Sequence, residues 1–168
     1  MASVGQSCEC STLGEFAVIG MGGDGRDERV FATLAKVTKH GGDAWWLYAS
    51  RCSACGQDWM VAQEERIHDN FYLKSLTVSE MKMIAEQGAW PPDSLRFEDV
   101  IRLGPDHEQF ARFSDTNDLT DTVKELMEAR SDISASEIAY LFVLSEGEAK
   151  RLMERAVSMS WKQLRPFA

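Results

Sequence analysis

A chain of 168 residues, 44% of them apolar, is long enough for one domain or for two small ones that share an interface. The net charge of -9 and the pI of about 4.8 oppose nonspecific binding to nucleic acid or to anionic membranes, and they suit a basic partner. No stretch approaches the roughly 18 apolar residues of a membrane span, and the first six residues lack the basic and apolar runs of a signal peptide. We therefore expect a cytoplasmic protein without a membrane segment.

The first half of the chain predicts strands around one helix. Residues 16–19 are typical of a short buried strand, and residues 27–39 have the apolar spacing of a helix that the glycines at 41–42 would end. Residues 43–51 and 58–63 have the pattern of two strands, and they flank a cysteine pair.

That cysteine pair predicts half of a metal site. Cys52 and Cys55 are separated by two residues and followed by Gly56, a spacing that lets both thiolates reach one ion from a tight turn. The chain has four cysteines, and the other two are Cys8 and Cys10. Four soft ligands favour a closed, tetrahedral and structural Zn²⁺ site.

Other roles for the cysteines are weaker interpretations. Two disulfides are disfavoured because we expect no export signal. A redox pair of Cys52 and Cys55 would leave Cys8 and Cys10 without a role. His68 is a fifth candidate ligand, although a surface or packing role is more typical of such a histidine.

A glycine-rich stretch at residues 20–25 follows a predicted strand and precedes a predicted helix. Its spacing matches the fingerprint of dinucleotide-binding proteins. However, too few residues separate Gly25 from Cys52 for a doubly wound sheet, and the next strand has no acidic residue at its end to bind a ribose. A glycine turn between strand and helix is the preferred interpretation.

The second half predicts helices. A capping box starts at Thr77 and Gly88 is a plausible end for that helix. Further helices are predicted at residues 94–103, 119–129, 135–142 and 146–158, and capping boxes at Ser134 and Ser145 mark the starts of the last two. The fold class is therefore α+β. We expect a small zinc-ribbon-like β unit with a helix insert (residues 1–76), packed with a helical unit (residues 77–168).

Residues 77–117 are the most acidic part of the chain. A solvated surface is the simpler interpretation, and a docking surface for a basic protein is the functional one. The candidate partner-binding residues are Glu80, Glu86, Asp93, Glu98, Asp99, Asp106, Glu108 and Asp115.

Residues 136–152 resemble a helix-turn-helix. The Glu-Ile-Ala start, the Leu-Ser before the next helix, and Ala149 and Leu152 lie where that family places them. Two features depart from it: Val143 stands where the family usually has glycine, and the second helix carries three acids among its bases. If the resemblance implies DNA binding, the contacting residues would be Lys150, Arg151 and Arg155. A packing unit of three helices is the alternative.

Residues 45–73, which include the Cys52–Cys55 pair, resemble small acidic bacterial proteins of polymorphic-toxin immunity. The resemblance implies a non-enzymatic protein that neutralises a basic toxin, often a nuclease, by covering its active or substrate-binding surface. A DNA-binding regulator with a structural zinc is the alternative function.

The sequence does not indicate an enzyme. Zinc deaminases need a His-x-Glu motif and a proline before the Cys-x-x-Cys, whereas here His40 precedes two glycines and Arg51 precedes Cys52. The motifs of metalloproteases, of Gly-x-Ser-x-Gly hydrolases and of phosphate-binding loops are missing from the sequence. We therefore predict no catalytic residue.

Overall fold

The computed structural model describes residues 7–42, 44–110 and 116–163, with side chains up to residue 159. The described residues form an α+β fold with one five-stranded antiparallel sheet and six α-helices, which confirms the predicted fold class. Among the described helices, none has the length and apolar character that crossing a membrane requires.

Five strands form the sheet in the order β1-β5-β4-β3-β2. Each neighbouring pair is antiparallel, so β2 to β5 make a meander and β1 joins it at the free side of β5. The strands are β1 (Phe16–Gly20), β2 (Leu34–Gly41), β3 (Trp45–Cys52), β4 (Asp58–Glu64) and β5 (Asn70–Leu76).

The six helices follow the capping and periodicity signals of the sequence, with one exception described below. They are α1 (Arg26–Phe31), α2 (Val78–Gln87), α3 (Phe97–Asp106), α4 (Thr116–Ala129), α5 (Ala135–Phe142) and α6 (Glu146–Gln163). The predicted capping boxes are present at Thr77 and Ser134, and at Ser145 the side chain and backbone of Glu148 make the same reciprocal bonds. Pro105 lies inside α3, two residues beyond the predicted end of that helix.

The contacts divide the chain into two compact units. Among the described residues, a sheet unit comprises residues 7–42, 44–65 and 69–100, and a helical unit comprises residues 66–68, 101–110 and 116–163. The sequence places the boundary after residue 76, whereas the contacts group α2 and the start of α3 with the sheet. The predicted domain division stays a prediction.

One face of the sheet carries the apolar core that supports the cysteines. Tyr48, Val61 and Leu73 are cross-strand neighbours in β3, β4 and β5, and Trp59 lies two residues before Val61 on the same face. These side chains join Leu13, Ile19 and Val30 in one buried cluster, against which Cys10 also packs. Burial of several large apolar side chains gives this face most of its stability.

The helix predicted at residues 27–39 is wrong beyond Phe31. Residues 34–41 form β2, paired with β3, and a bulge lies between Lys36 and Thr38. Val37 is half exposed, so the apolar spacing that favoured a helix marks no buried face, and Val37 and Thr38 are β-branched residues that suit a strand. Gly41 ends β2 at φ 129°, where a side chain would overlap the backbone of Trp45.

In the helical unit, α4 and α5 both pack against α6. Val143 follows α5 and adopts a left-handed conformation (φ 55°, ψ 48°) that closes the helix through its N–H to the Tyr140 carbonyl. The left-handed region is unfavourable for a β-branched residue, and the Val143 side chain is 41% exposed. The residue is therefore strained without deep burial to compensate.

We expect Val143→Gly to stabilise the helical unit by about 1 kcal/mol, because glycine adopts this conformation without a Cβ clash. The matched control is Val157→Gly, which removes a similarly exposed valine from inside α6 and should destabilise by about 0.5 kcal/mol. Urea unfolding followed by circular dichroism measures both changes. Equal destabilisation by the two substitutions would show that Val143 is not strained.

Candidate metal centre

The four cysteines lie together at one end of the sheet unit. Their sulfur atoms all lie within 4.8 Å of one another. This is compatible with the S···S distance of about 3.8 Å in a tetrahedron of thiolates around Zn²⁺. The prediction that these four residues come together into a group that could hold a metal ion is confirmed.

Cys52 and Cys55 lie where β3 turns into β4. The Cys52 N–H donates to the Gln57 carbonyl and the Gly56 N–H donates to the Cys52 carbonyl, both at 2.9 Å. Gly56 has a φ of 78°, which only glycine adopts easily. The turn aims backbone N–H groups at the sulfurs: those of Ala54 and Cys55 at Cys52, and that of Gln57 at Cys55.

Cys8 and Cys10 arrive from the segment before β1. A single 3₁₀ turn at Cys10–Thr12 redirects the chain, and the buried side chain of Leu13 anchors it in the core cluster. Cys8 and Cys10 are half-buried, Cys55 is exposed and Cys52 is buried. The site therefore has one enclosed sulfur and a side that opens towards solvent.

The surroundings lower the pKa of the Cys52 thiol and raise the pKa of the Cys10 thiol. Burial raises the pKa of the Cys52 thiol, but a hydrogen bond with the Thr33 hydroxyl and hydrogen bonds with the backbone of Cys55 and Ala54 outweigh it and bring the pKa to about 6. Burial raises the pKa of the Cys10 thiol far above its ordinary value, and Cys52 adds to this rise. An anionic Cys52 makes further deprotonation costly, and a cation bound by all four sulfurs would remove that cost.

An ion pair fixes the base of the hairpin beside the site. Arg51 and Asp58 are paired across β3 and β4, and the guanidinium binds the carboxylate through two bonds of 2.6 and 2.9 Å. The Asp58 side chain is 4% exposed, so this bidentate contact is shielded on the carboxylate side. It holds the two strands in register where the cysteine turn begins.

The structure places the alternative site residues elsewhere. His68 belongs to the helical unit, where it is buried with its Nε2 atom 2.8 Å from the Leu141 carbonyl oxygen, and it acts as a packing residue. The glycine-rich stretch is a turn between β1 and the six-residue α1, and Asp27 accepts a hydrogen bond from the Gly22 N–H. A dinucleotide-binding fold needs parallel strands, whereas this sheet is antiparallel.

The candidate acidic residues differ in their availability. Glu80 caps α2, Glu98 is only 8% exposed, and Asp99 pairs with Arg96 at 2.8 Å. Asp115 lies outside the described residues. Glu86 and Asp93 in the sheet unit are exposed, and Glu86 lies 4.0 Å from Lys82 in a solvent-exposed pair. In the helical unit Asp106 and Glu108 are exposed, and Asp106 accepts a hydrogen bond from Tyr140.

The three candidate DNA-contacting residues are all exposed on α6. Lys150 pairs with Glu146 at 2.9 Å, and Glu148 and Glu154 are also exposed on this helix. Arg151 and Arg155 are four residues apart and so share one side of α6. The exposed surface of α6 therefore carries charges of both signs.

Two further residues lie near the sulfurs, and the sequence did not indicate a role for either of them there. The Thr33 hydroxyl lies 3.5 Å from Cys52 Sγ, and the Thr33 carbonyl accepts a hydrogen bond from the Ser53 N–H at 2.8 Å. Trp59 lines the same cavity of about 660 Å³ as Cys8, Cys10 and Cys55. Thr33 is 19 residues from Cys52 and reaches it only because β2 pairs with β3, so no local pattern could reveal it.

Across the comparisons made with this chain, no family model, curated protein or solved structure matches it.

Proposed function

We propose that Cys8, Cys10, Cys52 and Cys55 bind one structural Zn²⁺. The observation that carries this proposal is that four sulfurs lie within 4.8 Å of one another, with backbone N–H groups and the Thr33 hydroxyl beside Cys52. Hydrogen bonds to sulfur stabilise thiolates, and four thiolates fill the coordination sphere of zinc. A filled sphere has no position for water or substrate, so the proposed role of the zinc is structural and we assign it no catalytic step.

Elemental analysis of the purified protein tests the identity of the metal. We expect one zinc per chain after purification without added metal. One iron per chain, with the visible absorption of an iron–thiolate centre, would contradict the assignment to zinc. Less than a tenth of an equivalent of any metal, also after reconstitution under reducing conditions, would reject the metal centre altogether.

We further propose that the protein works in the cytoplasm as an immunity protein that binds a basic toxin domain. The proposal is supported by the net charge of -9, by the exposed acids Glu86 and Asp93, and by the resemblance of residues 45–73 to immunity proteins. Opposite charges speed association and orient the partners. Zinc would contribute by holding the β3–β4 hairpin, which carries most of the resembling segment, to the start of the chain.

Purification of the tagged protein from its native host tests this function. A stoichiometric basic protein that is inactive in the complex and active after dissociation would support it. Glu86→Lys and Asp93→Lys should then weaken the complex at least about tenfold, whereas Glu128→Lys, an exposed acid outside the candidate set, should not. Recovery of nucleic acid without a protein partner would contradict it.

A DNA-binding regulator is the second candidate function. The observation in its favour is the left-handed Val143 at the turn between α5 and α6, where a helix-turn-helix usually has glycine. Arg151→Ala and Arg155→Ala should then lower DNA affinity and reduce its dependence on salt by about one ion for each residue. DNA binding that these substitutions leave unchanged would reject this function.

A further inference from the structure

Trp59 combines complete burial with an unsatisfied polar atom. The side chain is 1% exposed, and its indole N–H has no hydrogen-bond partner of acceptable geometry among the described residues. An N–H that is buried without an acceptor costs about 1–3 kcal/mol. Buried polar atoms of this kind are uncommon in folded proteins and point to a missing partner or to a function.

The Cys10 sulfur is the candidate acceptor for this indole N–H. Cys10 packs against the core cluster that contains Trp59, and both residues line the cavity at the cysteine site. The Trp59 indole also lies near enough to the Cys10 sulfur to interact with it. A protonated thiol is a poor acceptor, whereas a thiolate bound to a cation is a better one.

The surrounding sheet fixes the direction of the indole. Trp59 is in β4, paired with Ser50 of β3 and with Ser75 of β5, so it lies between two hydrogen-bonded strands. The strand backbone fixes the face of the sheet on which Trp59 lies, and its burial in the core cluster limits rotation of the ring. A donor that is held in place before the ion arrives orients a ligand at little further cost in entropy.

We propose that Trp59 is a positioning residue of the metal centre, whose indole N–H donates to the Cys10 thiolate when the ion is bound. This inference rests on the proposed zinc site. It gives the Cys8–Cys10 pair a donor on the sheet, as the turn backbone donates to Cys52 and the Thr33 hydroxyl, 3.5 Å from Cys52 Sγ, could donate to its thiolate. The two halves of the site would then each be oriented by outer hydrogen bonds.

Trp59→Phe tests the proposal because it removes the N–H and keeps an aromatic ring. We expect zinc affinity, measured by competition with a chromophoric chelator, to fall by about tenfold or more. In the Co²⁺ form, the sulfur-to-metal charge-transfer band should move to longer wavelength, because a thiolate that loses a hydrogen bond holds its electrons less tightly. The band position reports on the sulfur itself, which a general loss of packing would not change.

Trp46→Phe is the matched control, since Trp46 packs against the same cluster but pairs with Gln63, six residues along β3 from Cys52. It should leave both the affinity and the band unchanged. If Trp59→Phe does not fold, the wild-type protein loaded with ¹¹³Cd²⁺ decides: a scalar coupling between the indole proton and cadmium supports the bond, and its absence overturns it. Wild-type protein that binds no ion would instead reject the zinc site, and an unchanged Trp59→Phe variant would reject only the role of Trp59.

Discussion

Cys52→Ser is expected to abolish metal binding and to destabilise the sheet unit by about 4 kcal/mol when zinc is present at a thousand times its dissociation constant. The serine hydroxyl does not replace a thiolate as a zinc ligand, and Cys52 is the enclosed sulfur that receives the most hydrogen bonds. Zinc content by elemental analysis and thermal unfolding of the variant measure the two effects.

A chelator separates loss of the metal from loss of packing. Cys52 is 1% exposed, so its substitution could also destabilise by disturbing the core. A strong chelator should lower the melting temperature of the wild-type protein and leave that of Cys52→Ser unchanged. Ala54→Ser is the control within the same turn, because Ala54 is exposed and keeps its backbone N–H. A wild-type melting temperature that the chelator does not change would contradict a structural metal.

Gly104→Ala is expected to destabilise the helical unit by about 2–4 kcal/mol. A Cβ at Gly104 would overlap the His68 ring, lying 2.9 Å from Cγ and 3.0 Å from Nε2. His68 is 2% exposed and its Nε2 atom lies 2.8 Å from the Leu141 carbonyl oxygen, so the ring cannot move aside without losing that hydrogen bond. Unfolding by urea measures the change.

Gly147→Ala is the matched substitution of another helical glycine. Its Cβ would meet only the end of the Arg151 side chain at 3.8 Å, an ordinary contact, so this variant should gain roughly 0.5 kcal/mol from the better helix propensity of alanine. Because the cost at Gly104 comes from the imidazole, the cost of Gly104→Ala should be smaller in a His68→Ala background. Additive effects of these two substitutions would show that the overlap is not the cause.

Local signals in the sequence predicted the elements whose stability is local. The capping boxes at Thr77 and Ser134 each join a side chain to a backbone group three residues away, so the sequence contains the whole interaction. The same holds for the Cys52–Cys55 turn, whose shape depends on Gly56 and on hydrogen bonds within six residues. Four cysteines in a chain of this size then made the group of sulfurs predictable.

The features that the sequence predicted wrongly or did not reveal depend on contacts between distant parts of the chain. Residues 34–39 have apolar spacing that suits a helix, and only pairing with β3 makes them a strand. Thr33 and Trp59 are ordinary residues until the sheet brings them to the sulfurs. The sequence likewise does not indicate that Glu98 is buried, because the exposure of this side chain depends on tertiary packing.

The position of β1 in the sheet has a consequence for the order of folding. β2 to β5 are joined by short turns, whereas β1 pairs Phe16 with Lys74 across the whole meander. Closing a long loop costs more chain entropy than forming a hairpin, so we expect the hairpins to form first and β1 to dock last. Refolding followed by tryptophan fluorescence should show that zinc changes only the late phase.

Cys52 and Cys55 are therefore in place before Cys8 and Cys10 reach them. An ion held first by two sulfurs would gain its other two ligands only when the segment before β1 has docked with β1 beside β5. Binding of zinc by all four sulfurs and pairing of β1 with β5 would then occur together. Zinc would therefore stabilise only those chains in which the five-stranded sheet is complete.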